Sequence, residues 1–396
     1  MLSKKNELES TRVDDMSLTV EQQDLVAALR DFSQRECGTI EQRNALTHNG
    51  EHAHSDVVYN QLASAGYLGI SIPEEYGGSG GGLMDQCLLH EELYRGLVPV
   101  HAIGSTHTVA GIYKRFASEV QKKSMLSAIA DGAPMSLSIS EPEAGSDAAN
   151  IACKAEKVDG GYLINGQKTW CSAAQHAKAI LLVARTSRGE RRHDGLSMFE
   201  VPADVEGLTI VGIDTMGGKL VNDLYFADVF VPDANVVGDI GNGWHQLMAG
   251  LNGERLVAAV EALGMAQRTF DDLVHYLRER KQFGKAIGSF QAIRHRVADL
   301  AIEIEASRAL AYATIAAVEG GTAPADELVR KTSITKVKLT ETAKVVALEG
   351  VQLMGGYGYA VEYGMEKNLR DAIAPTIYAG TNEIQREVIS GTLGLK

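Results

Sequence analysis

The residues best suited to chemistry lie in two stretches far apart in the chain, Leu251-Asn-Gly-Glu-Arg-Leu256 and Thr376-Ile-Tyr-Ala-Gly-Thr-Asn-Glu-Ile-Gln-Arg386. The first supplies a carboxylate, Glu254, beside Arg255; the second centres on Ala379, whose side chain can accept no proton. Glu254 has two readings. As a solvated residue early in a helix it would answer to the macrodipole, which favours negative charge near an N-terminus. Enclosed in an apolar pocket, the same carboxylate would hold its proton more tightly and titrate closer to the operating pH, as a general base requires.

Three further segments carry polar groups. The glycine and serine residues of Glu141-Pro-Glu-Ala-Gly-Ser-Asp147 can turn amides and hydroxyls toward an anionic or amide-bearing ligand, although alone the segment reads as a turn. Trp170-Cys-Ser172 sets an indole beside a hydroxyl donor, which suits a flat heteroaromatic cofactor; the alternative is a core tryptophan. Arg280-Lys-Gln-Phe-Gly284 ends a helical stretch. Its arginine fork matches pyrophosphate oxygens, and the rival reading is a basic helix C-terminus stopped by glycine.

The elements that must hold these residues change character twice. From Ser17 to about Gly132 apolar residues recur at helical spacing, as in Leu18, Leu25, Val26 and Leu29 and again in Val57, Val58 and Leu62. The interruption at 70–82, with one proline and five glycines, predicts an exposed connecting loop. No strand leads into it and no Lys-Ser/Thr follows, which argues against a phosphate cradle. From Met135 to Ser140 the period is two, and Asn165-Gly166 is a turn pair of the hairpin type. Short segments at 179–184, 196–201 and 224–231, with no helical pattern between them, predict an antiparallel sheet or barrel. After Gly243 the helical spacing returns and runs to the end, broken at Gly284, Gly320-Gly321 and Gly355-Gly356. The expected class is therefore α+β: a polar tail over 1–16, a helical domain over 17–132, a β domain over 133–243 and a helical domain over 244–396.

The chain's 396 residues, 45% hydrophobic and 22% charged, suffice for several cores and leave little room for disorder. A net charge of -13 with no basic run opposes a nucleic-acid partner. Cys37, Cys87, Cys153 and Cys171 form no C-x-x-C pair, so neither a zinc site nor a disulfide framework is expected, and a reducing cytoplasm is. Residues 1–16 lack the apolar core of a signal peptide, and no window is apolar enough to span a bilayer.

Taken in chain order, Ser140-Glu-Pro-Glu-Ala-Gly-Ser-Asp147, Gly166-Gln-Lys-Thr-Trp170, Arg280-Lys-Gln-Phe-Gly284, Gln352-Leu-Met-Gly-Gly-Tyr-Gly-Tyr359 and Ala379-Gly-Thr-Asn-Glu-Ile-Gln-Arg386 closely resemble the acyl-CoA dehydrogenase family, over about residues 17 to 396. The resemblance implies a helical, β, helical domain order, bound FAD, a homotetramer, an acyl-CoA substrate and an electron-transfer flavoprotein or similar acceptor. It puts Ser138, Ser140, Trp170 and Ser172 along the isoalloxazine, with the Ser172 hydroxyl near the hydride-accepting N5, and Ser146 at the pantetheine or phosphate portion of the substrate. Arg280, Gln282, Phe283 and Gln291, with Gln352, Gly355 and Gly356, would hold the pyrophosphate and adenine across a subunit contact. Thr381 and Glu383 are further expected FAD contacts, and Asn252, Arg255 and Gly380 expected substrate contacts.

The family reaction removes the α-proton of an acyl thioester while the β-hydrogen leaves as hydride, so one positioned carboxylate is needed. Most members carry it in Tyr-Glu-Gly-Thr, where this chain has Tyr378-Ala-Gly-Thr381. Glu254 matches the alternative position used by isovaleryl-CoA and long-chain acyl-CoA dehydrogenases. The resemblance also implies that the amide of residue 379 polarises the thioester carbonyl, a role that alanine retains. Its small side chain leaves space for branching beside the reacting carbons. The segment Thr215-Met-Gly-Gly-Lys-Leu-Val-Asn222 departs from the family's commoner loop. Other members of this fold act on carrier-protein thioesters, work as flavin oxygenases or oxidases, or are not catalytic, and these remain alternatives.

Overall fold

A computed structural model describes residues 18–395; the tail assigned to 1–16 lies outside them. Six helices come first: α1 (Val20–Cys37), α2 (Ile40–Thr47), α3 (Asp56–Ser64), α4 (Leu83–Arg95), α5 (Ala102–Phe116) and α6 (Glu119–Ala130). Three of them start at a Ser/Thr-x-x-Gln capping box, Thr19/Gln22, Thr39/Gln42 and Ser118/Gln121, in which each partner satisfies the other's free amide. The 70–82 loop folds back on itself. Ser79 and Gly81 donate to the carbonyls of Gly69 and Ile70, and a β-carbon at Gly78 would sit 2.1 Å from the Ile72 carbonyl. Its glycines serve this close backbone approach.

Eight strands follow, β1 (Met135–Ser138), β2 (Lys154–Val158), β3 (Gly161–Ser172), β4 (Ala179–Arg185), β5 (Leu196–Pro202), β6 (Leu208–Gly212), β7 (Val221–Pro232) and β8 (Val236–Val237). They form one sheet in the order β6-β7-β3-β2-β4-β5-β8, with β1 joined to β4. Most pairs are antiparallel, but β1 runs parallel to β4 and so does the start of β2, at Lys154, a pairing that no crossover helix announces in the sequence. The expected hairpin turn at Asn165-Gly166 is corrected. Asp159-Gly160 makes the β2–β3 turn, with Gly160 at φ +73°, and Gly166 lies inside β3 at a register shift. There a β-carbon would come within 2.8 Å of Cys153, so the glycine marks a bulge and a close approach.

The last third comprises α7 (Gly243–Glu279), a two-residue hairpin β9 (Lys281–Gln282) and β10 (Lys285–Ala286), then α8 (Gln291–Glu319), α9 (Ala325–Met354), α10 (Gly356–Tyr359), α11 (Met365–Ile373) and α12 (Asn382–Thr392). The helix α7, 37 residues and roughly 55 Å long, is the spine of the site. Its start packs Trp244, Met248 and Leu251 into a core shared with Leu137 and Ile139 beside the sheet. Its middle packs against α4, α8 and α9, and Gly264 lets it cross α4 where a β-carbon would meet the Glu91 carbonyl at 2.2 Å. Among the described residues no helix is long and apolar enough to cross a membrane.

Candidate active site

Glu254 lies more than three turns into α7, beyond the reach of the N-terminal dipole, so the reading of it as an early, macrodipole-stabilised residue does not hold. The side chain keeps a partial opening to solvent, yet burial raises its pKa to about 7. Glu261 pushes the same way to the extent that its carboxyl is left uncompensated, and the cations Arg255 and Lys336 partly oppose it. A carboxylate that gains a proton near neutrality is suited to general-base work.

The loop between α11 and α12 is set by two successive left-handed residues, Ala379 at φ +54° and Gly380 at φ +78°. For alanine this conformation costs about 1 kcal/mol, so its surroundings must enforce it. They do so through the carbonyls. Gln385 Nε2 donates to those of Ala379 and Gly380 at 3.2 and 3.4 Å, and Lys336 Nζ donates to that of Gly380 at 2.8 Å and to Asn382 Oδ1 at 3.0 Å. Lys336 is fully buried, which lowers its pKa to about 8. Among the described residues none accepts from the Ala379 amide, so that donor remains for a ligand. Thr381 caps α12, its hydroxyl accepting from Ile384 N at 3.2 Å, and Glu383 stands exposed in that helix's first turn. Asn252 accepts from Arg255 Nη1 at 2.9 Å, and Arg255 Nε is buried without a partner.

The ends of β1 and β3 bring Ser138, Ser140, Trp170 and Ser172 together. Thr169 N donates to Ser140 O at 2.9 Å, and Ser136 Oγ donates to Ser172 O at 2.7 Å. Trp170 is 59% exposed and sits at φ +59° on a second bulge, which excludes the core-tryptophan alternative and turns the indole face outward. Ser138 Oγ is buried without a partner. An exposed flat ring on β3 and an unpaired buried hydroxyl on β1 are groups that fit an isoalloxazine, whose edge carries hydrogen-bonding atoms. Lys168 and Glu141, quoted within the sequence motifs but given no role of their own there, support this platform. Lys168 Nζ, fully buried, donates to Ile139 O and to Glu141 Oε1, both at 2.8 Å, and the Glu141 carboxylate also accepts from the amides of Ala152 and Cys153. Ser146 is exposed on the neighbouring turn.

The remaining candidates lie apart. Gln282, Phe283, Gln291, Gln352, Gly355 and Gly356 are exposed, and Arg280 stacks over the Tyr357 ring at 4.8 Å. Among the described residues no hydrogen bond or ring contact joins this group to the Trp170 platform. Two shallow grooves, one lined by Phe32 and Asn60 and the other by Met125 and Glu200, share no lining residue with either.

Known proteins share this domain order and fold. The acyl-CoA dehydrogenase N-terminal domain matches residues 19–133, the middle domain residues 136–229 and the C-terminal domain residues 241–394. The Bacillus subtilis protein named "Probable acyl-CoA dehydrogenase YngJ" is 34% identical over 96% of this chain and 99% of its own length. The mitochondrial isovaleryl-CoA dehydrogenase of Solanum tuberosum is 35% identical over 85% of this chain and 82% of its own. The crystal structure of an acyl-CoA dehydrogenase from Geobacillus kaustophilus superposes with a TM-score of 0.89 at 31% identity, over 95% of this chain and 99% of that one. Three matched domains in sequence order and a shared fold establish that the chain belongs to the acyl-CoA dehydrogenase family and is an oxidoreductase of that family.

Proposed function

We propose that the protein is an FAD-dependent acyl-CoA dehydrogenase that forms a trans-2-enoyl thioester with Glu254 as base, acting on a branched or longer acyl group. The observation that carries this reading is a half-buried carboxylate on α7, near enough to Tyr378 to act on it electrostatically, beside a loop whose Ala379 offers an amide and no acid. Glu254 takes the α-proton, and the Ala379 amide donates to the thioester carbonyl as negative charge develops on it. Lys336 and Gln385 hold that amide in place through the neighbouring carbonyls. FAD, when bound, supplies the hydride acceptor; Trp170, Ser138, Ser140 and Ser172 would hold its ring system. Asn252, Arg255, Gly380 and Ser146 are the proposed substrate contacts. The alanine side chain leaves room for branching, and the similarity to isovaleryl-CoA dehydrogenases supports such a substrate.

The test is anaerobic flavin bleaching across a panel of straight and branched acyl-CoAs. Isovaleryl-CoA or a longer homologue should bleach the flavin at a rate that rises with pH through about 7, because only ionised Glu254 accepts the proton. Bleaching by a carrier-protein thioester and by no CoA ester would reject the CoA assignment.

A second copy of the chain is proposed to complete the site, in a homotetramer. Phe283 is 92% exposed, Tyr359 82% and Val361 77%, beside the stacked Arg280–Tyr357 pair. So much aromatic and aliphatic surface around an open arginine suits a subunit contact that shares the FAD pyrophosphate and adenine. Phe283→Asp should lower the assembled mass on light scattering and weaken FAD retention about tenfold. FAD held as tightly by the dissociated chain would defeat the shared-site reading. The electrons are proposed to pass to an electron-transfer flavoprotein or similar acceptor, and the four buried, free cysteines support a reducing, cytoplasmic location.

A further inference from the structure

Glu261, two helical turns after Glu254 on α7, is 4% exposed. Its Oε1 is 2.9 Å from Nδ1 of His90 on α4. His90 Nε2 lies 2.9 Å from Nδ1 of His107 on α5, and His107 Nε2 lies 3.0 Å from the Leu68 carbonyl. On its other side Glu261 Oε2 accepts from the Tyr378 hydroxyl at 3.3 Å. The row therefore runs from the N-terminal helices to the residue preceding Ala379.

The directions of its hydrogen bonds are forced. A backbone carbonyl only accepts, so His107 Nε2 carries a proton. Burial holds His107 far below the ordinary imidazole value, at about 3, so the ring is neutral and its Nδ1 has only a lone pair. His90 Nε2 must then donate to it. That leaves His90 Nδ1 facing a carboxylate oxygen, and a 2.9 Å contact between them requires one proton.

We infer that Glu261 and His90 share a single proton as a net-neutral buried pair, which positions Tyr378, and through it the Ala379 amide, and spares Glu254 a second uncompensated carboxylate charge. The inference rests on Glu254 being the base. The other titratable groups around the pair are Cys87 and Tyr94 of α4, His101, Tyr378 and, on α11, Asp371 and Lys367. Burial keeps His101 neutral, and its Nδ1 is engaged by the Tyr94 hydroxyl at 3.0 Å. Arg255 and Lys336 face Glu254 itself. The partner that contacts Glu261 and can neutralise it is therefore His90.

The substitutions separate charge from packing. In Glu261→Gln the amide NH2 can donate to His90 Nδ1 while the amide oxygen still accepts from Tyr378, so every hydrogen bond persists without a shared proton. In His90→Gln the Glu261 charge loses its counterion and raises the proton affinity of Glu254. Measured on the holoenzyme with the acyl-CoA that bleaches it fastest, Glu261→Gln should leave the acid limb in place and the rate within about threefold. His90→Gln should move the limb up by about one pH unit, and the double variant should return it. An unmoved limb in His90→Gln, or a double variant no better than it, overturns the pair's electrostatic role.

Neutron diffraction of the wild-type holoenzyme supplies a second reading, independent of activity. One deuteron between His90 Nδ1 and Glu261, with His107 deuterated at Nε2 alone, is expected; a deuteron on His107 Nδ1 refutes the bond directions. Failure of every acyl-CoA to bleach the flavin would instead reject Glu254 as the base and leave the neutron result standing.

Discussion

Glu254→Gln is expected to slow flavin bleaching by about a thousandfold, because the amide cannot take the α-proton and no other acid replaces it at Ala379. Flavin content should be unchanged, since the Trp170 platform stands on β1 and β3. Stability should move the opposite way. The folded carboxyl binds its proton more tightly than the unfolded one, with its pKa raised from 4.5 to about 7. Its favourable contribution is complete below 4.5 and is lost as the pH rises through about 7. The glutamine variant should therefore unfold at a higher temperature at pH 8, by on the order of 2 kcal/mol after allowance for the partial opening to solvent, with little difference at pH 4.5. Rapid bleaching in this variant would show that the base lies elsewhere. Equal melting at pH 8 would show that Glu254 is not desolvated.

Lys336→Met should reduce turnover about a hundredfold through a residue that touches no substrate. The ammonium holds the Gly380 carbonyl and Asn382 Oδ1; methionine fills its volume and donates nothing. The Asn382 oxygen keeps Thr340 Oγ1 as a donor at 3.1 Å, and Gln385 Nε2 still approaches the Gly380 carbonyl at 3.4 Å. The loss of stability should consequently stay near 2 kcal/mol, while the loop that carries Ala379 relaxes. Removing a cation that holds the Glu254 pKa down should also move the acid limb upward. Full activity with an unmoved limb would mean that Lys336 serves packing alone. Stopped-flow bleaching against pH and urea denaturation read both halves of the prediction.

The helical, strand, helical order was legible because hydrophobic period changes from 3.6 to 2 and back, and period is a local property. Glu254 and Ala379 could be singled out since a missing acid in a conspicuous motif directs attention to another acid. The parallel β1–β4 pairing was not legible, because its partners are joined through two other strands and leave no crossover pattern. Asn165-Gly166 misled for a related reason: glycine is needed at close backbone approaches as well as in turns, and Cys153, which makes the approach, is not its sequence neighbour. Trp170 could be a core or a surface residue until the bulge at Lys168–Cys171 set its direction. Lys336, His90 and Glu261 were missed altogether, and Lys168 was quoted in its motif without a role. Each is a buried polar side chain whose partners lie up to 171 residues away, and a lone charged letter in a strand or helix reads as solvent-facing. Two register shifts break the alternation of β3, so its pattern does not mark Lys168 as the buried cation it is.

The crossing of α4 by α7 also governs how the chain can be made. The face of α4 that meets α7 includes Cys87 and Tyr94, is closed off at Gly264, and is pinned by the Arg95–Asp271 ion pair at 2.9 Å. These partners leave the ribosome only after the whole sheet has been translated, roughly 175 residues later, a wait of about 9 to 35 s at ordinary elongation rates. During that interval the N-terminal helices present an apolar groove with nothing of their own to fill it, and β1 likewise waits for β4. The crossing that holds α7 in register thus closes late in synthesis, when only the β9–β10 hairpin and the helices from α8 to α12 remain to be added.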